Sequence, residues 1–238
     1  MSSSLPTIVA IETSTELASV ALLHRGQLRA RESSGVQTHS ASVLPLLQAL
    51  LHDAGLTMAD VDALAFGSGP GSFTGVRTAC GLVQGLAIGA DRPVLPVVTL
   101  LAMAELARQA GAGDDVAPLL DARMGEVYRA RYRHDGSHWH VLDEPELIGA
   151  GDLPPGDGHT AVCGNGLLAY PDAVASLKAR ARLPDILPRA EVIATLAAAG
   201  LQRGEGLAAR DAQPLYLRNK VALTTRERLA VAASKAAA

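Results

Sequence analysis

The sequence predicts an α/β protein of two lobes, and three observations lead there. Apolar runs of strand length alternate with helical patterns over residues 62–110, as in parallel α/β packing. Three strand-length runs joined by polar turns precede that stretch. After the linker Gly111-Ala112-Gly113-Asp114-Asp115 the opening pattern returns: an apolar strand ends in an acid, Glu12 and then Asp121, and a short polar turn leads into a second strand. A chain of 238 residues is long enough for two such units, expected over residues 1–110 and 111–223.

Taken in order, residues 8–11 form a short apolar strand. The polar turn Glu12-Thr13-Ser14-Thr15-Glu16 leads to a strand over 18–23, and Arg25-Gly26-Gln27 turns the chain into a third over 28–33. Residues 39–54 place Val43, Leu44, Leu46, Leu47, Leu50 and Leu51 on one wide stripe, with Gly55 as the stop, so they form a helix with Pro45 in its first turns. A buried strand over 62–66, a helix over 74–90, a strand over 94–98 and a helix over 100–110 complete the first lobe. The second opens with strands over 116–120 and 127–133. A loop rich in Gly, Pro and Asp covers 149–158, residues 183–188 mark another boundary, and a helix follows over 189–202. Residues 214–218 are extended in character. Residues 224–238 carry no periodic apolar face that requires docking and are expected to fray.

Composition narrows the function classes. A formal net charge of −3 gives no basic field to concentrate nucleic acid, so any RNA contact is local or indirect. No apolar stretch reaches the roughly 20 residues a membrane span needs. The first residues lack a basic region followed by an apolar one, so a cytoplasmic protein is expected. Cys80 and Cys163 form no Cys-x-x-Cys pair and are expected to be buried thiols.

The segment Gly69-Pro70-Gly71-Ser72-Phe73-Thr74-Gly75-Val76-Arg77 joins a buried strand to a helix N-terminus. There, unpaired N–H groups and a partial positive charge suit an anion or a carbonyl. Equally, three glycines and a proline let a backbone turn sharply and pack tightly. It is not a nucleotide-binding P-loop of the Gly-Lys-Ser/Thr type, and Arg77 sits one turn into the helix, where a cation opposes the dipole.

Four motifs together resemble the TsaB (YeaZ) family: residues 8–15, residues 67–77, the run Asp121-Ala122-Arg123-Met124-Gly125-Glu126-Val127-Tyr128, and Pro214-Leu215-Tyr216-Leu217-Arg218-Asn219. The first two are shared with the catalytic paralogue TsaD. The resemblance implies a two-lobed actin-like, Hsp70-ATPase-like (ASKHA) fold with duplicated βββαβα lobes. It implies a part in making threonylcarbamoyladenosine beside the anticodon of ANN-decoding tRNAs, as a non-catalytic subunit that pairs with TsaD and helps recruit the ATPase TsaE. It implies tRNA contact only through the complex; for the chain alone, homodimer and monomer both stay open.

The residues agree with a non-catalytic part. In TsaD a His-x-x-x-His pair on a helix helps hold a metal, and here residues 39–43 carry only His39. His134, His138 and His140 flank Asp135-Gly136-Ser137, which reads as a hairpin turn, so they are solvated loop histidines. No metal, cofactor or catalytic residue is expected. Active relatives of the fold clasp phosphate with an Asp-x-Gly type of turn, whereas Ser14 and Arg123 stand near those places here, and Glu12 is longer than aspartate. Gly69, Gly71, Ser72, Thr74, Gly75 and Arg123 would form at most a vestigial anion site. An ion pair from Glu12 to Arg77 or Arg123 is the structural alternative.

Helices 39–54 and 74–90 have more apolar circumference than one sheet face needs, and the second is rich in small residues. With the resemblance, this gives a partner face of His39, Val43, Leu46, Leu47, Leu50, Arg77, Thr78, Gly81, Leu82 and Gly85. The competing readings are an independent ATPase or phosphotransferase of the same fold, favoured by the acid-ended turns and the glycine-rich helix entry, and a metallopeptidase, which the absent helical histidine pair disfavours.

Overall fold

The computed structural model describes residues 5–34 and 39–218. The expected fraying of 224–238 therefore lies outside the described residues. Strands β1 (Ile8–Glu12), β2 (Leu17–His24), β3 (Gln27–Ser34), β4 (Ala63–Gly69) and β5 (Val94–Val98) form one sheet in the order β3-β2-β1-β4-β5. In it β1, β2 and β3 pair antiparallel as a meander, while β1, β4 and β5 run parallel. Strands β6 (Asp115–Arg123), β7 (Glu126–His134), β8 (Trp139–Gly149), β9 (Ala161–Cys163) and β10 (Arg182–Leu183) form a second sheet, β10-β9-β6-β7-β8. Read from its other edge, this is the same order with the same pairing senses. The duplicated actin-like sheet is thus present in full.

Helices α1 (His39–Ala54), α2 (Phe73–Ala90) and α3 (Thr99–Gln109) belong to the first half of the chain, and the short α4 (Gly166–Ala169) and α5 (Pro171–Ala175) with α6 (Ala190–Gln202) belong to the second. Side-chain alternation explains the layers of the first lobe. Val9, Ile11, Val20 and Leu22 face α1 and α2, against Val43, Leu47, Leu50 and Val83. Ile8, Ala10, Ala63 and Ala65 face the other way, against Val192, Ile193 and Ala197 of α6. Meanwhile Leu100, Met103 and Ala107 of α3 pack on Leu120, Tyr128 and Tyr132 of the second sheet. Each half of the chain therefore lends a helix to the other half's sheet, and the two lobes share their cores across residue 110.

The helices are duplicated less faithfully than the sheets. Between β8 and β9, where the first lobe has α1, the second has only a 3-10 turn (Ala150–Asp152) and the loop containing Pro154-Pro155-Gly156. The expected βββαβα order thus needs correction for the second lobe. The physical cause is visible on β7, where Arg129, Arg131 and Arg133 alternate with the buried Tyr128, Ala130 and Tyr132. Their guanidinium groups pair with Asp115, Asp143, Glu146 and Asp157, so this face carries ion pairs in place of a helix.

Candidate functional site

A cleft of about 440 Å³ lies between the lobes. The β1–β2 turn and the entry to α2 form one wall, the β6–β7 hairpin and Asn165 a second, and Leu215–Arg218 a third. Both acid-ended turns reach this cleft region, so the sequence repeat corresponds to a spatial one.

At the first turn Glu12 is fully buried. Its carboxyl accepts the Ser14 N–H at 2.5 Å and the Thr99 hydroxyl at 3.4 Å, with no cation beside it among the described residues. Burial raises its pKa above the ordinary carboxylate value, and the hydrogen bonds from Ser14 and Thr99 only partly oppose that rise. The Ser14 hydroxyl lies near enough to oppose it yet meets no partner at full hydrogen-bond geometry.

The glycine turn is stitched onto this first turn. A Cβ added at Gly67 would lie 1.7 Å from Glu12 Oε2, one at Gly71 2.6 Å from the Ser14 carbonyl oxygen, and one at Gly75 1.9 Å from the Thr13 carbonyl oxygen. Ser72 N donates to that Ser14 oxygen at 2.7 Å, and Thr13 Oγ1 to the Gly75 carbonyl at 2.7 Å. Gly69, at φ +100°, donates its N–H to Thr99 Oγ1, and the Gly75 N–H caps onto Ser72 Oγ. Close backbone approach therefore accounts for the glycines, and three of the N–H groups an anion would need have internal acceptors. Of the six residues expected to form an anion site, Gly71, Ser72 and Arg123 line the cleft, whereas Gly69, Thr74 and Gly75 do not.

The second turn is satisfied differently. Asp121 accepts the Tyr170 hydroxyl at 2.7 Å and the Arg123 N–H at 2.8 Å, and it pairs with the Arg123 guanidinium at 3.1 Å. Arg123 and Met124 hold left-handed backbone (φ 63° and 59°), which directs the chain tightly from β6 into β7. The expected ion pair from Glu12 to Arg77 or Arg123 is therefore absent. Arg123 serves Asp121, while Arg77 lies 3.7 Å over the Phe73 ring and donates Nε to the Tyr216 hydroxyl at 2.7 Å.

The residues expected to meet a partner divide between two environments. Val43, Leu47 and Leu50 are buried in the first lobe's core, so their side chains are unavailable to a partner, and that part of the expectation is corrected. The outer face of α2 is open. Arg77, Gly81 and Gly85 are exposed, Thr78 and Leu82 are half-buried, and a Cβ added at Gly81, Gly85 or Gly89 would meet nothing within 4 Å. Ile88, 70% exposed, continues this stripe, and Leu44 and the half-buried Leu46 extend the surface onto α1, which begins at His39. The periodicity of 39–54 shows an apolar stripe but not which sheet face lies beneath it.

The histidines lie on a hairpin, as expected. Asp135, between β7 and β8, accepts His140 Nε2 at 2.6 Å and the backbone N–H groups of Ser137 and His138. These bonds hold its carboxyl well below the usual range. Among the described residues no three His, Cys, Asp or Glu side chains converge as a metal-ligand set, and no helix is long and apolar enough to cross a membrane. Cys80 and Cys163 are free and buried.

Residues 31–155, a little over half the chain, match the family model described as TsaD: tRNA N6-adenosine threonylcarbamoyltransferase. The tRNA threonylcarbamoyladenosine biosynthesis protein TsaB of Escherichia coli (strain K12) is 38% identical over 222 residues, or 90% of this chain and 96% of the relative. Its counterpart in Haemophilus influenzae is 37% identical over 226 residues, covering 90% and 94%. Among solved structures, YeaZ from Pseudomonas aeruginosa aligns with a TM-score of 0.82 at 38% identity, over 89% of this chain and 100% of that one. A second Pseudomonas aeruginosa structure, described as similar to peptidase YEAZ, gives 0.83 at 37% identity over 90% and 100%. Duplicated five-stranded sheets with acid-ended hairpins beside a shared cleft make this a two-lobed α/β protein, and the family-model match puts it in the tRNA threonylcarbamoyltransferase group. Within that group, the chain belongs to the TsaB family.

Proposed function

We propose that this chain serves the biosynthesis of tRNA threonylcarbamoyladenosine in the cytoplasm as a non-catalytic scaffold. In this reading it binds TsaD through the outer face of α2 and the adjoining surface of α1, and the pair presents the docking surface for TsaE. tRNA is met only through the assembly. The observation that carries the reading is the open stripe Arg77-Thr78-Gly81-Leu82-Gly85, where exposed glycines leave room for another backbone to approach closely. The internally satisfied turns support it from the other side, since the groups that would clasp phosphate in an active relative are bonded within the chain.

Gly81→Leu tests the partner face. The added side chain points into open space, so folding is unaffected while co-purification with TsaD falls at least tenfold. Undiminished association of a folded Gly81→Leu protein would place the partner elsewhere. A second reading, an independent ATPase or phosphotransferase, draws on the size of the cleft and on Ser14 and Asn165 in its walls. Calorimetric titration with ATP and magnesium separates the two: the scaffold reading expects no binding at micromolar nucleotide and no turnover.

A further inference from the structure

The last described residues bridge the two lobes across the mouth of the cleft. On the first lobe, the carbonyls of Ala209 and Ala212 accept Gln84 Nε2 of α2 at 3.0 Å each, and Leu215 N donates to the Ser68 carbonyl at the end of β4 at 2.7 Å. Tyr216 then meets the start of α2, with its ring 6.1 Å from that of Phe73 and its hydroxyl on Arg77. Beyond it the segment changes lobe. Leu217 packs on the core between α3 and the second sheet, and Arg218 donates to the Ala122 carbonyl at 2.9 Å and pairs with Glu126. Leu215–Arg218 are themselves cleft wall, so this segment and any larger occupant of the cleft need the same space.

We propose that residues 212–218 form a releasable latch that ties the two lobes together across the interlobe cleft. Its first-lobe end is firm: Ala212 is buried and bonded to α2. The second-lobe end rests on the half-buried Leu217 and on the Arg218 contacts with Ala122, Met124 and Glu126 of the β6–β7 hairpin. Tyr216 is 45% exposed and held by one hydroxyl bond, the Phe73 ring and the Arg77 guanidinium 5.3 Å over its own ring. The segment therefore lets go from the Arg218 end and peels back toward Ala212, opening the third wall of the cleft while both sheets stay folded. Gly69 faces the Leu215 carbonyl, to which an added Cβ would stand 3.1 Å away, so the strap lies close against the glycine turn.

Amide hydrogen exchange on the full chain reads the latch directly through the Leu215 N–H, with Phe66 and Val9 in the first sheet as controls. Arg218→Glu sets like charges together and is expected to speed Leu215 exchange by about tenfold or more with the controls unchanged. The exchanged pair Glu126→Arg with Arg218→Glu is expected to restore protection, and Tyr216→Phe, which loses only the bond to Arg77, to give a smaller rise. Wild-type protection of Leu215 in Arg218→Glu would overturn the proposal. So would a rise shared equally by Phe66 and Val9, because the segment would then unfold only with the whole protein.

Discussion

The β1–β2 turn and the β6–β7 hairpin occupy equivalent places in duplicated sheets and have been closed by opposite means. At the first, Glu12 is sealed from water with neutral donors only, and the glycine turn is laid on top of it with no room for a methyl group. At the second, Asp121 keeps a cation, Arg123, whose own side chain is 79% exposed. One turn is closed by packing and the other by charge. Topology preserved the position of both acids, while the environment around each determines what the acid can do. Each carboxyl has partners within the chain: Glu12 the Ser14 N–H and the Thr99 hydroxyl, Asp121 the Tyr170 hydroxyl and Arg123.

That contrast can be broken by substitution, most severely at the packed turn. Gly75→Ala sets a methyl against the Thr13 carbonyl and is expected to cost about 3 kcal/mol or more of folding stability by urea denaturation. Asp121→Ala comes next: it strips the Tyr170 hydroxyl and the Arg123 N–H of their acceptor, at a cost of about 2 kcal/mol in the same assay. Glu12 responds to pH instead. Its carboxyl ionises near 4.5 in the unfolded chain but keeps its proton to higher pH in the fold. Its contribution to stability is therefore complete below pH 4.5 and is lost as pH rises to the folded pKa, by up to about 1.4 kcal/mol per pH unit. Glu12→Gln has no proton to lose, so a plot of stability against pH should flatten above 4.5 relative to the parent. A parallel curve would show that Glu12 is ionised in the fold. Arg123→Ala should do least, about 0.5 kcal/mol, because its guanidinium is mostly in water. A larger loss would erase the distinction between the two turns.

Much of this was legible in the sequence. The β1–β2–β3 meander, the strand–helix alternation and the acid-ended repeat placed all five strands of the first sheet, and β6 and β7 of the second, to within a few residues, since period and turn chemistry are local properties; β8, β9 and β10 did not stand out as strands. The glycine turn admitted two readings, tight packing first and an anion cradle second. What decides between them, the Thr13 and Ser14 carbonyls lying where side chains would be, comes from a turn more than fifty residues away. The exchange of α3 and α6 between lobes was hidden for the same reason, because an alanine-rich helix such as 190–202 does not name the sheet it covers. Residues 214–218 read as extended, but nothing local shows that Tyr216 and Arg218 stand on opposite sides of a cleft. The alternation Tyr128-Arg129-Ala130-Arg131-Tyr132-Arg133 did carry a signal that went unused: a strand with one apolar and one arginine face has no helix over the second.

On the proposed reading, this chain supports a threonylcarbamoyl transfer without performing it. The direct measurement is formation of threonylcarbamoyladenosine on an ANN-decoding tRNA from the threonylcarbamoyl precursor, with this chain alone, with TsaD and TsaE alone, and with all three. The account predicts no product from the chain alone, little from TsaD and TsaE, and robust turnover when the three are combined. Transfer by the lone chain, or full activity of TsaD and TsaE without it, would contradict the account.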